Sequence, residues 1–203
     1  MSALTVGIVD YGVGNLASVY RTLHTLDYRC RVSRLPEVLN ETDLLLLPGV
    51  GAFPAAMQAL HACDLVDYLQ RQAGQGRPMV GICLGMQLLA DASSEHLLTA
   101  GLGLIPGQVH ALPGARWHIG WNTIEVLDDD KLLRQSDGQA LYFNHSYSFE
   151  AAREYQIGQV GLELPFPAAV RCGNIVGLQF HPEKSQNAGR QLLRNVIEGL
   201  CRA

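Results

Sequence analysis

One cysteine, one histidine and one glutamate are placed so that together they could carry acyl transfer. Cys83 stands in Val80-Gly81-Ile82-Cys83-Leu84-Gly85-Met86-Gln87. The apolar residues 79–82 predict a short buried strand, and the apolar spacing of Leu84, Leu88 and Leu89 predicts a helix over 84–92. Cys83 falls where strand becomes helix, between Gly81 and Gly85. That is the pattern of a nucleophile elbow, a tight turn that holds a side chain out over the sheet edge. A thiol at a helix N-terminus is favoured as thiolate, the form that attacks carbonyls. The competing reading is a buried structural cysteine.

His181 and Glu183 flank Pro182 in Gln179-Phe180-His181-Pro182-Glu183-Lys184. In an extended segment, residues two apart point to the same side, so the imidazole and carboxylate can meet there. Pro182 disfavours a helix at that point. His181 supplies a general base near neutral pH, and Glu183 can fix its tautomer and stabilise the imidazolium. Acyl transfer also needs donors aimed at the developing oxyanion. The turn Pro48-Gly49-Val50-Gly51 leaves the backbone free to present an N–H, and the amide of Leu84 is a second donor. A plain strand-to-loop break is the alternative for that turn.

The elements that must position these residues alternate strand and helix over the first ninety residues. Strands are expected at 4–10, 29–33, 43–47 and 79–82, with helices ending near Leu26 and spanning 55–72. That alternation predicts a doubly wound parallel sheet with function at the carboxyl ends of its strands. Short strands follow at 108–112, 122–126, 140–144 and 155–161. A hairpin through Cys172-Gly173-Asn174 joins 168–171 to 175–180, and a helix over 188–200 closes an antiparallel C-terminal extension. No linker or repeat divides the chain, so 1–203 reads as one domain.

Composition narrows the function. The chain has 203 residues, 48% hydrophobic and 17% charged, with a net charge of −4 and no Lys/Arg cluster, which argues against nucleic acid or an anionic membrane as partner. No apolar run is long enough to span a bilayer, and no charged leader precedes the first strand. Five scattered cysteines without C-x-x-C, and histidines without H-E-x-x-H, speak against a disulfide framework and against a metal site, and fit a reducing cytoplasm. Gly12-x-Gly14 with Ala17 is a poor dinucleotide fingerprint, because no acid follows the second strand. No cofactor is expected.

Taken together, G-x-C-x-G-x-Q at 81–87 and F-H-P-E at 180–183 resemble the class I, triad-type glutamine amidotransferases. Within them, D-Y-G-x-G-N-L at 10–16, P-G-V-G at 48–51, H-I-G-W-N at 118–122, Y-F-x-H-S-Y at 142–147 and Q-F-H-P-E-K-S at 179–185 are similar to the glutaminase subunits of imidazole glycerol phosphate synthase. The resemblance covers essentially the whole chain. It implies glutamine hydrolysis through a γ-glutamyl thioester on Cys83, with ammonia passed to a (β/α)₈-barrel cyclase subunit. It implies that Gly49, Gln87, Glu95, Ser146 and Tyr147 contact the glutamine, and that Val50, Gly51 and Leu84 form the oxyanion hole. Tyr11, Asn15, Trp121, Asn122 and Lys184 then become candidates for the partner interface and the ammonia passage. Trp117 and Asn144 depart from the family pattern, which keeps a related barrel partner in surface-sugar amidination as the alternative. A non-catalytic docking module is the reading from another class.

Overall fold

A computed structural model describes residues 4–112, 117–161 and 165–202. Its elements, in chain order, are β1 (Thr5–Val9), α1 (Leu16–Thr25), β2 (Arg29–Ser33), α2 (Pro36–Leu39), β3 (Leu44–Gly49), α3 (Phe53–Ala62), α4 (Leu65–Gly74), β4 (Met79–Cys83) and α5 (Leu84–Gln87). Then come β5 (Ala92–Ser93), β6 (Thr99–Ala100), β7 (Gly107–Ala111), β8 (His118–Val126), β9 (Ala140–His145), β10 (Tyr147–Ala151), β11 (Gln156–Val160), β12 (Phe166–Cys172), β13 (Ile175–Leu178) and α6 (Gln186–Cys201).

The main sheet runs β2-β1-β3-β4-β13-β12-β11-β8-β9. Its first five strands are parallel, and the remaining four are joined antiparallel. A small second sheet, β10-β7-β5-β6, is not hydrogen-bonded into it and packs through β10 against β12. The layers follow from β3, in which every residue is buried. Its side chains alternate: Leu44 and Leu46 join the core containing Val19, Leu23, Leu192 and Val196, whereas Leu45 and Leu47 join the core containing Phe53, Leu60, Leu65 and Leu69. A strand buried on both faces reads as a continuous apolar run, as this one does.

The structure alters four expectations. Strand β3 does not stop at Leu47 but carries Pro48 and Gly49 to pair with Ile82 and Cys83. The helix expected over 55–72 is two helices, broken at Asp64, which takes a left-handed φ of 54° that aspartate tolerates better than most residues. The helix expected over 84–92 ends at Gln87. There the carbonyls of Leu88, Leu89 and Ala90 accept from the amides of Leu102, Leu104 and Gly103, at 2.8, 2.8 and 3.0 Å. Those acceptors are spent on a neighbouring segment, not on a helical ladder. Finally, β5 and β6 are strands too short for a period-two signal, whereas β10, Tyr-Ser-Phe-Glu-Ala, carries that alternation and is absent from the expected strands.

Candidate active site

Cys83 is the last residue of β4, and its backbone sits at φ 55°, ψ −111°. A non-glycine residue pays for that conformation in steric strain, so the surroundings must over-determine it. They do. A Cβ on Gly85 would stand 1.9 Å from the Leu47 carbonyl oxygen, and one on Gly81 would stand 2.5 Å from the Gly85 carbonyl oxygen. Only glycine allows strand and turn to pack this closely. The elbow is thus present, but with only one helical turn after it the macrodipole contributes little to the thiolate.

His181 follows β13. Its amide donates to the Tyr142 carbonyl at 2.8 Å, and its own carbonyl accepts from the Ser185 hydroxyl at 2.6 Å. The Tyr142 amide in turn donates to that hydroxyl oxygen at 2.9 Å, so the segment is fastened to β9. Glu183 reaches His181 differently from the expectation. Residues 182–184 form a 3₁₀ turn with Pro182 in its first position, not an extended segment. Proline suits a helical N-terminus because its missing N–H would be unpaired there. The turn brings Glu183 Oε1 to 2.8 Å from His181 Nδ1. The other carboxylate oxygen is buried without a hydrogen-bond partner. Burial by itself would lower the His181 pKa. Hydrogen bonds and charge attraction from Cys83 and Glu183 outweigh it and push it up to about 9. The imidazole is therefore held as the cation at neutral pH, paired with the sulfur and the carboxylate.

These groups open on a cavity of about 280 Å³ lined by Val50, Gly51, Cys83, Leu84, Gln87, Glu95, Asn144, His145, Ser146, Tyr147, His181 and Lys184. Every residue of the expected triad is at this one site, and so are the expected oxyanion residues. Gln87 and Glu95, expected to bind substrate, are buried there and not solvated. Glu95 Oε2 accepts the Phe53 amide at 2.7 Å, at the start of α3. Gln87 Nε2 donates to the Tyr147 carbonyl at 2.9 Å and to Gln179 Oε1 at 3.1 Å. Both its protons are used, so Gln87 can offer a ligand only its carbonyl oxygen. Gly49 does not line the cavity; it packs beneath the turn, where a Cβ would meet the Gly85 amide at 2.8 Å.

The candidates for partner contact are spread more widely. Trp121 is 48% exposed on β8, beside exposed Ile119. Lys184 is exposed at the cavity mouth with its ammonium 5.9 Å from the centre of the Tyr142 ring. Tyr11 is buried, and its hydroxyl donates to the Pro48 carbonyl at 2.7 Å, propping the turn from below. Asn15 is exposed and caps α1 by accepting from the Ser18 amide at 3.3 Å. The Asn122 carboxamide turns inward to the His118 ring. Sequence reasoning assigned no role to Gln179, His118 or His145, which are half-buried or buried polar residues near the cavity. Their only signal was that they lie inside motifs already quoted.

The family model for glutamine amidotransferase class-I matches residues 7–199. The chain belongs to the class I glutamine amidotransferases. It is thus an enzyme, and its fold is the one this family carries. Among curated relatives, this amidotransferase is 42% identical over 195 residues to a Listeria innocua protein named imidazole glycerol phosphate synthase subunit HisH, with 94% of each chain covered. A Streptococcus sanguinis protein of the same name is 40% identical over 195 residues, again covering 94% of each chain. Among solved structures, a chain of PurLQS from Thermotoga maritima superposes with a TM-score of 0.79 at 17% identity, covering 98% of this chain and 100% of that one. A structure titled as a glutamine amidotransferase gives 0.77 at 20% identity, over 98% of this chain and 99% of that one. At such identities these two speak for the fold of the amidotransferase alone.

Proposed function

We propose that this amidotransferase, as one glutaminase domain over 1–203, hydrolyses glutamine and delivers ammonia to a (β/α)₈-barrel synthase subunit that makes imidazole glycerol phosphate in histidine biosynthesis. The observation that carries the chemistry is Cys83 at the elbow beside a buried His181–Glu183 pair. The observation that carries the pathway is the similarity to subunits named HisH over nearly the whole chain.

Glutamine would sit in the cavity with its ammonium toward Glu95 and the Gln87 carbonyl oxygen, and its carboxylate toward the Ser146–Tyr147 backbone. The thiolate of Cys83 attacks the side-chain carboxamide carbon, and the oxyanion is received by the amides of Gly51 and Leu84. The imidazolium of His181 gives its proton to the departing nitrogen, so ammonia leaves and a γ-glutamyl thioester remains. His181, now neutral, takes a proton from water as the water attacks the thioester. Glutamate leaves, and the thiolate–imidazolium pair is restored. Glu183 stays ionised throughout and holds the ring. No metal or cofactor is required by these steps.

Val50, Ile119, Trp121 and Lys184 form an exposed, partly apolar rim around and beside the cavity. That composition, with tryptophan and a single cation, suits a protein partner. The cytoplasm is the compartment proposed; among the described residues no helix is long and apolar enough to cross a membrane.

The deciding experiment is glutamate release from glutamine by the purified chain, alone and with a cognate barrel subunit holding a substrate analogue. Release that the loaded barrel stimulates is expected. Release that such a barrel leaves unchanged would remove the histidine-pathway partner. Cys83→Ala should abolish glutamine-driven synthesis while the barrel continues to use added ammonium.

A further inference from the structure

Gln179 is wholly buried, two residues before His181, and the mechanism above gives it no task. Its Nε2 lies 3.9 Å from Cys83 Sγ, within the reach of a hydrogen bond to sulfur. Its Oε1 accepts from Gln87 Nε2. The orientation of this carboxamide is forced by what lies behind it. The Tyr147 carbonyl can only accept, so Gln87 must present Nε2 to it at 2.9 Å. The second proton of that Nε2 then meets Gln179 Oε1, and Gln179 is left with its N–H groups toward the sulfur.

The Tyr147 carbonyl has a second donor, His145 Nδ1 at 2.8 Å. With its proton on Nδ1, neutral His145 offers Nε2 as an acceptor, and His118 Nδ1 fills it at 3.0 Å. His118 Nε2 is then an acceptor in its turn, and the Asn122 carboxamide donates to it. Every tautomer and amide along the line is set by its neighbour, from β8 to the nucleophile.

We propose that Gln179 acts directly on the nucleophile, donating a hydrogen bond that favours the Cys83 thiolate, and that the line Asn122–His118–His145–Tyr147–Gln87 holds it in the donating orientation. A donor to the charged form lowers the pKa of an acid, and here it opposes the Asn144 carbonyl, 3.8 Å from the sulfur, to which only the protonated thiol can donate. The proposal rests on Cys83 being the nucleophile of a glutaminase. It also gives β8, which carries exposed Trp121, a physical connection to the thiol.

The test is the pH dependence of Cys83 alkylation by iodoacetamide in the full-length chain, read by mass spectrometry of the Cys83 peptide. The charged and titratable groups around the thiol are His181 and Glu183 beyond β13, Glu95, Lys184 and His145 across the cavity, and Tyr11 under the turn; all remain in the Gln179 variants, and His145→Phe removes only His145. Gln179→Met should raise the inflection by about one pH unit, which is about tenfold less thiolate at any pH well below it. Gln179→Glu keeps the acceptor for Gln87, cannot donate when ionised, and should raise the inflection further; it serves also if the methionine variant fails to fold. His145→Phe should move the inflection the same way by less. An unmoved inflection in the Gln179 variants, or alkylation slowed by one factor at every pH, overturns the proposal. An unmoved inflection in His145→Phe overturns the role of the line. A wild-type chain that releases no glutamate even with the loaded barrel would instead overturn the glutaminase reading, since alkylation is measured without glutamine.

Discussion

His181 and His145 line the same cavity and are similarly buried, yet they are held in opposite protonation states. Burial pushes both pKa values down. At His181 the thiol and the Glu183 carboxylate reverse that push, to about 9. At His145 burial prevails and the value falls to about 4. Its bond to the Tyr147 carbonyl works upward, but His118 and His181 both repel an added proton. The two rings differ in their partners more than in their depth. An anionic partner makes a buried imidazole into a proton donor, and a carbonyl with a neutral ring makes it into a fixed wall.

The largest expected effect is at the charged ring. His181→Asn removes both the proton donor and the base, and glutamate release should fall about 10²–10⁴-fold in kcat. Wild-type activity should decline as pH rises through about 9, where the imidazolium is lost. Glu183→Gln removes one of the two partners, with the sulfur, that make the two histidines different. That variant should lose about 10²-fold in kcat, and its alkaline limb should move toward neutral pH. An alkaline limb still near 9 would show that the sulfur alone sets the His181 charge.

Stability should show the same contrast with opposite signs. His181 has a folded value above the unfolded value of about 6.5, so its contribution is fully present below that pH and is lost as pH rises through about 9. For His145 the folded value lies below the unfolded one, so the chain loses stability as pH falls from about 6.5 toward about 4, by roughly 3 kcal/mol at the limit. Urea titrations at pH 7 and pH 5 would measure the loss, and His145→Phe should make it smaller. The smallest effect is expected from Trp121→Ala. On its exposed strand it should leave glutamate release by the free chain within about twofold and weaken barrel-stimulated release, since exposed tryptophans matter chiefly where a partner covers them.

Much of the site could be read from the residues because its parts are local. Cys83 with Gly81 and Gly85, and His181 with Glu183, each lie within a few positions, and the close packing that demands glycine leaves a visible trace. The run 44–47 announced a central strand for the same reason. What escaped depends on contacts between distant segments. Nothing near Leu88 shows that residues 102–104 take its helical acceptors. Gln179, His118 and His145 acquire a direction only when Tyr147 is brought between them, and any one of them alone reads as an ordinary polar residue. Glu95 is singled out in the sequence only by the family resemblance, because the Phe53 amide that holds it comes from α3, 42 residues away.

The two ends of the Pro48–Gly51 turn are held very differently. Gly49 is clamped: a Cβ there would come within 3.0 Å of the Gly85 amide, the Leu84 side chain and the Tyr11 hydroxyl. Gly51, at φ 96°, has nothing within 4 Å of where its Cβ would lie. The turn is therefore anchored at one end, on the nucleophile's own strand pair, and open at the other. Any side chain added at 49 would have to displace the elbow or the Tyr11 hydroxyl, whereas one added at 51 would meet only the backbone strain of its positive φ.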